Sequence, residues 1–209
     1  MNRYRNVPAL LEEYEDRKAA IRRRLEEFAS VPGTDYFYEL VYCLLTPQSS
    51  AVNAARAVKA MQEADVLGRG TDPTAILFRK EAYIRFHNTK ARRILEAREK
   101  FPEIASRVGN GPPGRVVREW LVGNVKGLGW KEASHFLRNI GYRDLAILDR
   151  HILRNLKVHG VIRSQPAPPT ARRYLAIERE FGRFAAVVGI PMDELDLLFW
   201  SRETGMILK

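Results

Sequence analysis

The chain has 209 residues, of which 45% are apolar and 29% charged, a composition that suits one globular unit or two small subdomains. Its 35 basic against 25 acidic residues leave a net charge of +10, which favours a polyanionic partner without saying which one. The single cysteine, Cys43, excludes an internal disulfide framework and any four-cysteine zinc or iron–sulfur site. The segment Met1–Arg5 carries no signal-peptide core, and no stretch is long and uncharged enough to span a membrane. An intracellular protein is therefore expected.

Helical spacing dominates from the start. Leu10, Leu11, Tyr14, Ile21, Leu25 and Phe28 predict a helix over 8–29, punctuated by Pro8 and by Pro32-Gly33. An apolar helix over 34–45 is broken at Thr46-Pro47-Gln48-Ser49-Ser50, where Ser49 or Ser50 could cap the next helix. Thr71 or Asp72 could cap a short helix after the loop at 68–73. Asn88 to Phe101 reads as a basic amphipathic helix carrying Lys90, Arg92, Arg93 and Arg98. The strongest breaker, 109–114, precedes a helix over 116–125. Next come a glycine hairpin, a helix from Lys131 to Asn139, and a helix over 150–158 that Asp149 can cap. Leu145 to Leu148 is apolar but short, and could be a buried extended segment. Thr170 can cap a helix over 171–181, and Met192 to Phe199 anchors a last one. No sustained strand alternation appears, so the expected class is all-α.

The hairpin Lys126-Gly127-Leu128-Gly129-Trp130-Lys131 carries the sharpest chemical signal. Gly127 and Gly129 lack a Cβ, so the chain can turn tightly and approach another backbone closely. Amides at the following helix start can bind phosphate oxygens, an interaction that positions a duplex without reading its bases. The positive end of a helix dipole disfavours an ammonium group, and a neutral amine at Lys131 could attack C1′ of a nucleotide, displace the base and leave a Schiff base. Asp149 could stabilise positive charge developing on the sugar. From the residues alone, Lys131 also fits a solvated helix position paired with Glu132 or Glu99, and Asp149 a simple N-cap.

The stretch Val125 to Leu153 resembles the helix-hairpin-helix DNA glycosylase superfamily. The run Lys131-Glu132-Ala133-Ser134-His135-Phe136-Leu137-Arg138-Asn139 resembles its archaeal-type 8-oxoguanine DNA glycosylase/AP lyase branch, and the likeness covers nearly the whole chain. The resemblance implies two helical subdomains flanking a DNA-binding cleft, with the helix-hairpin-helix motif at about residues 115–140 of a single glycosylase unit. It makes Lys131 the Schiff-base lysine and Asp149 the catalytic aspartate. No cysteines follow the motif, which departs from the endonuclease III branch.

A glycosylase must extrude its target base into a pocket. Phe86 and Trp200 are candidate stacking surfaces, although either could be a core residue. Lys209 ends the sequence after the apolar Met206-Ile207-Leu208, and its carboxylate could accept from a guanine-type base edge; the other reading is a frayed tail. Gln48 could fill the gap left by the extruded nucleotide, or belong to a helix-capping loop. Arg92, Arg93, Arg150 and Arg154 could touch phosphates, and solvated helix faces explain them as well. The expected function is excision of 8-oxoguanine from duplex DNA with β-elimination at the resulting site. The rivals are a glycosylase for another oxidised base and a non-catalytic hairpin protein. The chemistry as read needs no metal, hairpin carbonyls could hold a structural monovalent cation, and a cytoplasmic or nucleoid-associated monomer is expected.

Overall fold

The apolar stripes of the sequence become eleven α-helices, with two short 3-10 helices besides, in the computed structural model, which describes residues 4–109, 111–164, 167–205 and 207. The first is α1 (Val7–Ala29). It is followed by α2 (Tyr36–Leu45), α3 (Ala51–Glu63), α4 (Val66–Arg69), α5 (Thr74–Phe78), α6 (His87–Gly109), α7 (Gly114–Asn124) and α8 (Trp130–Asn139). The series ends with α9 (Arg150–Val158), α10 (Ala171–Val188) and α11 (Met192–Thr204). No strand occurs among the described residues, so the fold is all-α. No helix among them is long and apolar enough to cross a membrane. The chain divides into two units, one of Met1–Ser30 with Leu137–Lys209 and one of Val31–Phe136.

The Val31–Phe136 unit is built around α2, whose Phe37, Leu40, Val41, Cys43, Leu44 and Leu45 are all buried. α3 and α6 pack against it. Ser50 caps α3 by accepting the Asn53 amide, and the Asp72 carboxylate accepts the Thr74 amide at 2.8 Å ahead of α5. α6 runs past the predicted end at Phe101 and carries Pro102 inside it. A proline in a helix interior costs about 3 kcal/mol. Ile104 and Val108 continue the buried stripe of Ile94 and Ala97, and burying two such side chains contributes roughly 3–6 kcal/mol. Burial therefore outweighs the lost backbone bond.

The other unit is centred on α11, whose residues from Met192 to Phe199 are buried, with α1, α9 and α10 around it. Three carboxylates lie in that stretch, and each has a partner. Glu194 accepts from the Tyr14 hydroxyl and pairs with Arg22, Asp193 accepts the Asp144 amide at 3.0 Å, and Asp196 pairs with Arg138 at 3.2 Å. Burial pushes the Asp196 carboxyl up to about 7; Arg138 opposes the shift, and the Asp149 and Asp193 charges add to it. α10 extends beyond the expected Phe181 because Phe184, Ala185 and Val188 continue its buried face.

Leu145 to Leu148 is the buried extended segment that the sequence left open. It forms no ladder: the Ile147 carbonyl accepts the Asp149 amide at 2.7 Å, and side chains of α10 satisfy groups of Ala146 and Leu148. The Glu178 carboxylate accepts the Ala146 amide at 2.9 Å, and the Tyr174 hydroxyl accepts the Leu148 amide at 3.2 Å and donates to the Ala146 carbonyl at 2.6 Å. Tyr174→Phe leaves two buried backbone groups unpaired. It should lower unfolding stability by roughly 2–4 kcal/mol, read as a shift in urea midpoint with helix content unchanged.

His159 stacks between Phe184 and Phe199, both with ring centroids 5.5 Å away. Its Nδ1 is 2.8 Å from the Arg5 carbonyl, and Nε2 is 3.1 Å from Arg202 Nη1, which fits a neutral ring donating from Nδ1. Burial lowers its pKa below the usual 6.5, and the Arg202 charge acts the same way. Below 6.5 the unfolded chain binds the extra proton more readily than the folded one. Stability from this residue is therefore present above 6.5 and lost as pH falls. Thermal melts should show a fall from pH 7 to pH 5 that is shallower in His159→Gln.

Candidate active site

The hairpin between α7 and α8 is a tight turn. The Leu128 amide donates to the Val125 carbonyl at 3.2 Å, and Gly127 between them has φ +96°. A Cβ at Gly127 would stand 2.7 Å from Cδ of Arg93 and 3.1 Å from a methyl of Leu44. Glycine is required there on both counts. Leu128 is buried, and the Gly129 carbonyl accepts the Ala133 amide at 2.9 Å, so Gly129 stands at the entry to α8. First-turn amides of a helix have no intrahelical acceptor and are open to an anion. Inside the hairpin lies Arg118, wholly buried. It donates to the Ser134 hydroxyl at 3.1 Å, and its guanidinium lies 4.9 Å from the Trp130 ring centroid.

Lys131 occupies the first turn of α8 with about 30% of its side chain exposed. Its Nζ is 3.0 Å from Glu132 Oε1. Of the two carboxylates that the sequence offered as partners, Glu132 is the one paired in the structure. The amine is partly accessible and engaged by that carboxylate.

In the other unit, Asp149 caps α9 as expected. One oxygen accepts the amides of His151 and Ile152, both at 2.8 Å, and the other accepts from Nε1 of Trp200 at 3.2 Å. The buried 145–148 segment delivers the carboxylate to that point, and Trp200 presents from α11. Asp149 and Trp200, 51 residues apart in sequence, are thus brought together. Arg150 and Arg154 stand on exposed positions of α9. Arg150 donates to His151 at 3.1 Å; Arg154 pairs with Glu203 at 3.1 Å while its side chain stays 61% exposed.

Gln48 and Phe86 share an unusual backbone. Among the described residues, the non-glycines with positive φ are Asn6, Gln48, Asp65, Phe86 and Asp144. Asn and Asp tolerate this region, whereas Gln and Phe rarely adopt it. Holding each there costs roughly 1–3 kcal/mol. Gln48 lies in a turn closed by the Ser49 amide on the Thr46 carbonyl at 3.1 Å, and it is exposed. Phe86 precedes α6, is also exposed, and carries the Arg85 guanidinium 4.8 Å from its ring centroid. Lys209 lies outside the described residues. No group of three or more His, Cys, Asp or Glu suited to a metal occurs among the described residues.

The family model for 8-oxoguanine DNA glycosylase matches residues 21–190, a span that covers one unit and part of the other. The chain belongs to the 8-oxoguanine DNA glycosylase family. An 8-oxoguanine DNA glycosylase/AP lyase of Fusobacterium nucleatum is 40% identical over 206 residues, 94% of each chain. The crystal structure of the 8-oxoguanine DNA glycosylase of Methanocaldococcus jannaschii is similar with a TM-score of 0.86 at 35% identity, covering 100% of both chains. A structure of the glycosylase/lyase from that organism in complex with a 15-mer DNA containing 8-oxoguanine gives a TM-score of 0.84 at 35% identity, over 96% of this chain and 100% of that one. The family match includes Gln48, Phe86, Gly127, Gly129, Lys131, Asp149, Arg150 and Arg154, and ends before Trp200 and Lys209.

Three supporting residues were not legible as such. Lys90, which charge places on a basic face, is buried, with about 3% accessible. Neither Arg118 nor Tyr174 stands out in the sequence. Both arginine and lysine lie in register with apolar neighbours, Arg118 three residues before Leu121 and Lys90 four before Ile94, and this is the signal that could have found them. Gly127→Ala combines a strained φ with a contact at 2.7 Å. It should lower stability by about 2 kcal/mol or more, measured by thermal or urea unfolding.

Proposed function

We propose that this protein excises 8-oxoguanine from duplex DNA and cleaves the strand at the resulting site. The observation that carries this reading is the family match over residues 21–190, with a partly accessible lysine at the mouth of the hairpin and an anchored aspartate capping α9. The first-turn amides of α8 bind a phosphate and seat the duplex. The Lys131 amine attacks C1′ of the extruded nucleotide; the C1′–Nζ bond forms as the bond to the base breaks, and the base leaves with that electron pair. The sugar ring opens to a Schiff base on Nζ. Loss of a proton from C2′ then drives β-elimination of the 3′ phosphate. The Asp149 carboxylate stabilises positive charge on the sugar, its position set by the two α9 amides and Trp200.

Phe86 and Trp200 are the proposed stacking surfaces for the damaged base, with Lys209 contributing to its recognition. Gln48 fills the gap left in the duplex, and Arg150 and Arg154 contact phosphates. Arg154 exchanges Glu203 for a phosphate when it does so. A lysine nucleophile needs no metal; hairpin carbonyls are the proposed ligands of a structural monovalent cation that takes no part in bond making or breaking. The protein acts as an intracellular monomer on DNA containing oxidised guanine.

The test is borohydride trapping on a duplex with one 8-oxoguanine. The wild type should give a covalent adduct and a cut strand. Lys131→Gln should give neither while still binding the lesion duplex. Trapping that persists in Lys131→Gln would move the nucleophile elsewhere, and no adduct from folded wild type would sink the reading.

A further inference from the structure

The left-handed residues Gln48 and Phe86 adjoin one partly buried hydrogen-bonded junction. Lys90, on α6, sends its ammonium to the Leu45 carbonyl at 2.6 Å, the Pro47 carbonyl at 2.7 Å and the Ser49 hydroxyl at 3.1 Å. Three protons meet three acceptors. Leu45 ends α2, where carbonyls lack intrahelical partners, so the cation also completes that helix. The same Ser49 hydroxyl oxygen accepts the Arg85 amide at 3.1 Å. The Phe86 carbonyl accepts the Lys90 amide at 3.0 Å. Pro47 and Ser49 flank Gln48, and Arg85 precedes Phe86. The lysine and the serine therefore touch both strained segments from inside.

We propose that Lys90 is a positioning residue that acts through Ser49 to hold Gln48 and Phe86 in one fixed arrangement, so that the two side chains engage the DNA together. The inference rests on the roles given to Gln48 and Phe86 under the proposed function. Strained residues persist only where their surroundings over-determine them, and here that surrounding is a charge with every proton used. Burial, with the Arg93 and Lys131 charges adding, brings the Lys90 ammonium down to about 8, so it remains mostly charged near pH 7.

Two variants separate this role from simple support of α2. Lys90→Met removes all three bonds. Ser49→Ala leaves the two carbonyl bonds intact and removes the hydroxyl that joins Lys90 to the Arg85 amide. Each should slow single-turnover release of 8-oxoguanine by about tenfold, within the range of coupled neighbours, while cleavage of a preformed abasic site stays within about twofold. Adding Gln48→Ala to either should cost little more. Equal losses on both substrates, losses that multiply with Gln48→Ala, or unchanged release by folded Ser49→Ala would each overturn the proposal. Should the wild type release no 8-oxoguanine, the functional reading fails, and amide exchange at fixed pH decides the junction on its own. Faster exchange confined to 46–49 and 85–87 in Ser49→Ala supports it; unchanged exchange there refutes it.

Discussion

The structure depends on one requirement: main-chain groups buried where helices stop must find partners among side chains. Leaving a buried donor or acceptor unpaired costs more than a made hydrogen bond contributes, roughly 1–3 against about 1 kcal/mol. An all-helical protein meets this requirement at each break in its helices. Here two buried breaks lie beside candidate site residues. The 145–148 segment is sealed by Tyr174 and Glu178, and it ends at Asp149. The end of α2 is sealed by Lys90, and it leads into Gln48.

Each sealed break sets the direction in which the chain leaves it. Asp149 departs from the segment in extended conformation, with φ −85° and ψ 179°, and turns its carboxylate onto α9 and Trp200. On the hairpin side, the buried Arg118 plays the corresponding part. It ties α7 to α8 through Ser134 and supports the Trp130 ring. The segments that carry Lys131 and Asp149 are thus tied down by polar side chains, Arg118, Tyr174 and Glu178, that have no part in the proposed reaction.

Much of this was readable from local pattern. A cap bonds amides two and three residues ahead, so Asp149 and Thr170 were legible from spacing alone, and Ser50 as one of two candidates with Ser49. Gly127 was legible because the turn needs it, whereas Gly129 has no positive φ and a Cβ there would meet only the end of the Glu132 side chain. What escaped was non-local. Lys90 bonds a carbonyl 45 residues earlier, and Tyr174 bonds an amide 26 residues earlier. Charge counting places Lys90 with Arg92 on a solvated face, although it shares a stripe with Ile94 and Ala97. Pro102 misleads for a related reason: the rule for prolines is local, and the packing of Ile104 and Val108 that overrides it is not.

The two oxygens of Asp149 are committed to different neighbours, and this limits how the residue can be probed. Asparagine has the same shape but only one acceptor. If its oxygen keeps the α9 amides, its amino group meets the indole N–H of Trp200 donor to donor; if it turns around, the helix loses its cap. An isosteric swap that removes only the charge does not exist at this position. Any loss caused by asparagine mixes electrostatics with a displaced tryptophan or a frayed helix, and the two parts separate only when the Trp200 environment is followed alongside the chemistry.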